Sequence, residues 1–319
     1  MSPLLKHDEI LLRAKEARNL SSPCRLCPRA CGVDRTVGET GYCGSGPEPS
    51  VAAVVPHFGE EPPLVGSGGA GTIFFSHCNL RCVYCQNHQI SQSGLGRSMS
   101  PDELALRILD LENRGCATIE PVSPTHHLPG LLKALAIAVE RGMRLPVVYN
   151  TNGYEAMQTL ELLDGIVDVY LPDLKYASNR NAMRYSDAAD YVETARLAIM
   201  AMHRQVGNLV IDEQGMATRG LILRHLVLPG NLSETEDTLI WMRENLPLTV
   251  TLSLMAQYSP LHKSEHFPPL DRAITPEEYD RAVDIAWGAG FENVFVQEMD
   301  SRESGIPDFS LNKPFDWEL

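Results

Sequence analysis

From Gly71 onward, short apolar runs alternate with longer stretches opened by helix-start signals. The short runs read as strands: Thr72–Ser76, Ala117–Val122, Pro146–Asn150, Val167–Leu171, Leu221–Leu228, Thr249–Leu254 and Asn293–Gln297. Ser100-Pro-Asp-Glu103 predicts a capped helix with proline at its first position, and Ser233-Glu-Thr-Glu236 and Thr275-Pro-Glu-Glu278 repeat the device. Repeating β-α units predict a parallel sheet with right-handed crossovers. Six or seven units suit an α/β fold, a partial TIM-like (β/α)6 barrel open on one side, with reactive residues at the C-terminal strand ends.

Before this rhythm begins, Asp8 to Asn19 reads as an amphipathic helix, followed by a cysteine-rich stretch. The expected organisation is an N-terminal extension over 1–65, the barrel over 66–300 and a tail over 301–319. After Leu174 the run KYASNRNAMRYSDAADY breaks the pattern, before a long helix from about Val192 to Gln205. A hairpin turn is expected at Glu213-Gln-Gly215. Such added segments on the reactive face would cover the site. The tail carries Phe315 and Trp317, which either pack back onto the barrel or stay loose.

Composition narrows the partners. The apolar fraction is 44%, and no run of the length needed to span a membrane occurs, so no membrane partner is expected. A net charge of -14 argues against broad nucleic-acid binding, because phosphates would be repelled. The opening MSPLLKHDEILLRAKEARNL has charges inside its apolar stretch and does not read as a signal peptide. Of the eight cysteines, only Cys116 stands outside two tight groups. Grouped cysteines without a leader read as metal or cluster ligands in a reducing cytoplasm, not as disulfides.

Cys78, Cys82 and Cys85 lie in GTIFFSHCNLRCVYCQN, just after a predicted strand with a Gly-rich approach, VGSGGAG. Three thiolates so spaced can hold three corners of a [4Fe-4S] cluster and leave one iron open, as an open metal position marks a catalytic site. Zinc with His77 or His88 as a fourth ligand is the alternative, and idle thiols are the plain one. Cys24, Cys27, Cys31 and Cys43 form the second group, spaced C-x2-C-x3-C-x11-C. Four thiolates match either tetrahedral zinc or a second, fully ligated [4Fe-4S] cluster, and the spacing does not separate them.

The pattern CxxxCxΦC, with Tyr84 as its aromatic, resembles the radical S-adenosylmethionine (SAM) superfamily. The segments CRLCPRACGVDR, GETGYCG, VSPTHH, NTNGY, LPDLKYA, LRHLVLPG and LMAQYSP resemble its PflX group, over about residues 20 to 300. That group is similar to the activating enzymes of pyruvate formate-lyase and other glycyl radical enzymes. The resemblance implies an oxidoreductase-like enzyme in which the open iron chelates SAM. Reductive cleavage then yields a 5′-deoxyadenosyl radical that takes hydrogen from a substrate. It further implies a reducing protein such as flavodoxin or ferredoxin, and a glycyl radical enzyme, a small molecule or a peptide as substrate. A non-enzymatic iron–sulfur carrier is the reading from another class, disfavoured because a carrier needs no such barrel motifs.

Residue roles follow where motifs match. Ser123-Pro-Thr125-His126 stands where the activating enzymes carry Gly-Gly-Glu, a departure from their pattern, and Thr125 or nearby carbonyls would meet the amine of SAM. Lys175, in the Asp173-Leu-Lys175 string, would pair with its carboxylate. Asn150 and Thr151 resemble a segment near SAM, and Arg224 one near its adenosine and ribose. Glu120, His126, Asp173, Lys175, Arg224 and Gln257 are expected to line the open site. Plain structural readings exist for several: Lys175 neutralising Asp173 on a solvated loop, or Asn152-Gly153 forming only a turn.

Overall fold

A computed structural model describes residues 7–301, 305–311 and 313–315. Ten strands form one mixed sheet: β1 (Ser50–His57), β2 (Ala70–Phe75), β3 (Arg97–Ser98), β4 (Thr118–Val122), β5 (Val148–Thr151), β6 (Val169–Pro172), β7 (Val210–Ile211), β8 (Ala217–Leu226), β9 (Thr251–Met255) and β10 (Asn293–Val296). Their order is β10-β9-β8-β6-β5-β4-β2-β1-β3, with β7 paired to β8. From β2 to β10 the main path is parallel, as the β-α rhythm predicts. Among the described residues this path has two ends, β3 and β10.

The strands are apolar because both faces are covered. Every residue of β2, β5, β6 and β9 is buried, which explains continuous apolar runs in place of strict alternation. Helix 128–140 buries Leu128, Leu131, Leu132 and Leu135, and packs against helices 7–19 and 101–113. The first of these brings Ile10, Ala14 and Ala17 into the same core. The N-terminal stretch is therefore built into the main body. β1, which the sequence reading left out, pairs antiparallel with β2 through its full length, so a boundary at residue 65 would cut a continuous sheet.

The three helix-start signals fare differently. Thr275 makes the full reciprocal box with Glu278. Ser100 accepts from Glu103 N at 3.2 Å, but the Glu103 side chain turns to Arg97 instead of closing the box. Ser233 does not cap: its hydroxyl accepts from Leu228 N, and the helix begins at Thr235 after Glu234 in the left-handed region. Glu234 is recruited elsewhere, accepting from Ser178 N at 2.7 Å and Ser178 Oγ at 2.7 Å. The stretch after Leu174 is likewise not irregular. It holds a helix, Asn179–Ser186, capped by Ser178 and stopped by Asp187 at φ 55°. The hairpin turn is where expected, Asp212 accepting from Gln214 N and Met216 N.

Candidate functional site

A cavity of about 940 Å³ opens at the C-terminal ends of the parallel strands, and Cys78, Cys82 and Cys85 all line it. His77, at φ 72°, lets the chain leave β2 abruptly into the cysteine loop. That loop is pinned from outside the strand. Arg81 N and Val83 N donate to the carbonyls of Ser186 and Tyr185 on the added helix, and Lys263 N donates to the carbonyl of Val83. Asn152 Nδ2 donates to Asn79 Oδ1 at 2.7 Å and reaches Cys78 Sγ at 3.4 Å. Gly153 makes this possible: at φ +81° it passes so close to Asp173 that a Cβ would lie 2.4 Å from the carbonyl oxygen.

The sulfurs have soft partners. Cys82 Sγ lies 3.0 Å from Ser186 Oγ, and Cys85 Sγ 3.1 Å from Ser91 Oγ. Tyr84 hydroxyl pairs with Tyr176 hydroxyl at 2.6 Å, which in turn meets Ser186 Oγ at 2.8 Å. Burial pushes the Cys78 thiol up to about 11, the Cys85 thiol up to about 12, and Cys82 also upward. Free thiols here would stay neutral at ordinary pH.

A row of charged groups crosses the cavity wall. Lys175 Nζ donates to Asp173 Oδ2 at 2.6 Å, and Arg224 Nε donates to Asp173 Oδ1 at 2.9 Å. Arg224 also donates to Asn150 Oδ1 at 2.7 Å and approaches Glu60 at 3.4 Å. Asn150 Nδ2 passes the chain on to Glu120 Oε1 at 2.7 Å. Burial alone would raise Asp173, but Arg224 and Lys175 overcome it and hold the carboxyl below its usual range. Burial opposes the charge on Lys175, and Asp173 more than restores it. Lys175 is thus the ion-pair partner of Asp173 on the cavity wall, with its side chain 13% exposed.

Of the other expected site residues, Tyr84, Ser123, Asn150 and Gln257 line the cavity. Four do not. Glu120 is fully buried behind Asn150, where burial and the neighbouring Glu60 push its carboxyl well up. His126 points its Nε2 at the carbonyl oxygen of Ser76, and His127 does the same, at 2.9 Å and 3.0 Å. Burial drives His126 down to about 3, so it serves as a neutral clamp on the residue before the cysteine loop. Thr125 and Thr151 both give their hydroxyls to Glu155 Oε1, a buried acid pushed up to about 7 by burial. The sequence reading missed Glu60 and Glu61, which line the cavity from the loop after β1. Two adjacent acids inside the otherwise apolar HFGEEPPLV were the available signal.

Cys24, Cys27, Cys31 and Cys43 lie outside this cavity. Cys27 is pushed up to about 12 by burial, with Cys43, Cys24 and Glu155 adding to the shift. Cys31 Sγ accepts from Tyr42 N at 3.3 Å, beside a Gly41 that tolerates no side chain: a Cβ would fall 2.8 Å from both Cβ and Sγ of Cys31. Two arginines join the cysteine groups reciprocally. Arg29 Nε donates to the Asn79 carbonyl, and Arg81 donates to the Tyr42 carbonyl. Among the described residues, no three His, Cys, Asp or Glu side chains converge as placed on a point where one metal ion would sit. Cys78, Cys82 and Cys85 are the thiols that would hold a metal cluster at this cavity. Cys116 is buried in the core beneath Gly71, away from both groups.

The β-α order, the cysteine loop after the first parallel strand and the charged row beside it define a class. Residues 72–220 match the radical SAM superfamily model, and the chain belongs to that superfamily. It is also 32% identical over 285 residues to an uncharacterized protein of Methanocaldococcus jannaschii, spanning 86% of this chain and 77% of that protein. No helix of the described residues is long and apolar enough to cross a membrane.

Proposed function

We propose that this chain is a radical SAM enzyme of the PflX-like group, with Cys78, Cys82 and Cys85 as the three protein ligands of a [4Fe-4S] cluster. The observation that carries the reading is the convergence of all three thiols on one cavity beside the Lys175–Asp173–Arg224 row. When bound, the cluster supplies the electron that cleaves SAM. Lys175 holds the carboxylate of SAM, and Asp173 keeps Lys175 charged and oriented. Tyr84 and Tyr176, joined by their hydroxyls and buried, brace the loop against movement. Phe74, Phe75, Leu80, Leu226 and Met255 give the cavity apolar walls that limit water at the reacting atoms. We read the sheet as the partial barrel that encloses this chemistry, and Cys24, Cys27, Cys31 and Cys43 as a second, closed metal site holding iron–sulfur or zinc.

The substrate reading we favour is hydrogen abstraction from a small molecule or peptide held in the cavity. Activation of a glycyl radical protein is the second reading, supported by the Asp173-Leu-Lys175 string. A cytoplasmic setting with a flavodoxin or ferredoxin as reductant suits either. The test is anaerobic reconstitution with iron and sulfide, then dithionite and SAM, followed by assay of 5′-deoxyadenosine. Formation in wild type and loss in Cys82→Ala is expected, and unchanged turnover in that variant would sink the assignment. A glycyl radical signal in an added partner protein would decide for the second reading.

A further inference from the structure

The cavity wall carries more acidic side chains than lysines and arginines among the described residues. Lys175 and Arg224 are the lysine and arginine on its wall among the described residues; Lys175 is engaged by Asp173, and Arg224 by Asp173 and Glu60. The wall histidines, His57 and His77, are pushed toward the neutral form by burial. Glu61 lines the same cavity from a buried position, and the exposed Glu298 and Asp300 line it as well. Glu61 is only 6% exposed, and its Oε2 has no hydrogen-bond donor; the same holds for Oε2 of the fully buried Glu120. What reaches both is the carboxyl of Glu60, another acceptor unless a proton is shared. Burial pushes Glu61 up to about 7 and Glu120 well up, and His57 Nδ1 approaches Glu60 Oε1 at 3.8 Å, yet as carboxylates the three acids present more acceptors than the donors around them. Buried acceptors left so are costly until something donates to them.

We propose that this end of the cavity, formed by Glu60 and Glu61 and backed by Glu120, binds a protonated amine of the substrate. An ammonium is compact and brings several N–H donors on one positive centre, which is what the unpartnered oxygens lack. Arg224 turns the row into an orienting device. It ties Glu60 to Asp173, so an amine at the glutamates lies at a fixed offset from the Lys175 end, where the cysteines are. The assignment rests on the reading of the cysteine end as the SAM end. On that reading the amino group of SAM is occupied at the cluster, and the acidic end is left for the second reactant.

Calorimetric titration of the reconstituted holoprotein, with SAM present, tests this. The probes are putrescine and the diol of equal chain length. Iron–sulfur absorbance and 5′-deoxyadenosine formation are read first in the same wild-type sample, so failure of the SAM reading is seen separately. Putrescine is expected to bind at least about tenfold more tightly than the diol, roughly 1.4 kcal/mol. Glu61→Gln should abolish that preference, Glu61→Asp should retain part of it, and Glu213→Gln on the exposed hairpin should leave it whole. Circular dichroism of each variant identifies any that fails to fold, and Glu61→Asp then carries the test. Equal affinity for diamine and diol in wild type overturns the proposal, as does an unchanged preference in Glu61→Gln. A loss of SAM affinity in Glu61→Gln as large as the loss for putrescine also overturns it, assigning these carboxyls to SAM.

Discussion

The two cysteine groups have the same side chain and opposite settings. Cys78, Cys82 and Cys85 sit on a loop held by Ser186, Tyr185 and Lys263 and face a cavity shared with charged residues. Cys24, Cys27, Cys31 and Cys43 lie outside that cavity in a Gly-rich segment, where Cys27 feels the charge of Glu155 and Cys31 accepts from Tyr42 N. If both groups hold metal as proposed, the contrast teaches that ligand count alone does not separate reactive from structural metal chemistry. What matters is whether a corner opens onto space where a second molecule can be bound. The reciprocal arginines, Arg29 and Arg81, make the groups neighbours without merging them.

The largest effect that could break the comparison comes from replacing Cys78, Cys82 and Cys85 together by alanine. This should end 5′-deoxyadenosine formation while metal remains at the other four thiols. Metal analysis of the triple variant then assigns the N-terminal site: four irons indicate a second cluster, zinc a structural knuckle. Folded, anaerobically prepared protein containing neither would remove that site from the account.

A smaller change sharpens the cavity side. Lys175→Ala leaves every cysteine in place and should weaken SAM binding about tenfold, roughly 1.4 kcal/mol, with iron content intact. Equal SAM affinity would show that the Lys175–Asp173 pair serves only the fold.

Next is the loop's support. Ser186→Ala removes the hydroxyl that Cys82 and Tyr176 share. It should shift the electron paramagnetic resonance signal of the reduced cavity cluster and leave the N-terminal metal content unchanged. An identical signal would mean that the hydroxyl does not tune the site.

The smallest effect lies far from both groups. Glu278 closes the cap at Thr275 and binds Arg272, and those hydrogen bonds hold its carboxyl down to about 2. Because its folded value lies below its unfolded one, its contribution is present above about pH 4.5 and lost as pH falls toward 2. Glu278→Gln should cost about 1 kcal/mol near neutrality and flatten the acid limb. Urea midpoints compared at about pH 7 and about pH 3 would check it.

The strands and the cysteine loop were legible because they are written locally. Seven apolar runs became seven parallel strands within a few residues, and the spacing of Cys78, Cys82 and Cys85 survives any detail of packing. What was not legible depends on partners far away in the chain. Ser233 has a capping sequence, but Glu234 is drawn to Ser178 and the helix starts late. Thr125 and Thr151 are suited to meet a ligand, yet Glu155 claims both hydroxyls. Glu60 enters the site only because the loop after β1 reaches Arg224, and the acid pair at 60 and 61 marks the loop but not that partner.

Those distant contacts also set an order of events during synthesis. The cysteine loop waits for Ser186 and Lys263, and the row beside it waits for Arg224. Gln86, one residue past Cys85, is finally held by the carbonyl of Gly305. A nascent chain that has just exposed its three cysteines therefore has no pocket around them. Long-range closure is slow relative to local helix formation. Iron and sulfide delivery should accordingly succeed on the released chain and fail on ribosome-bound chains that end before Arg224, where three bare thiols meet solvent and oxidant.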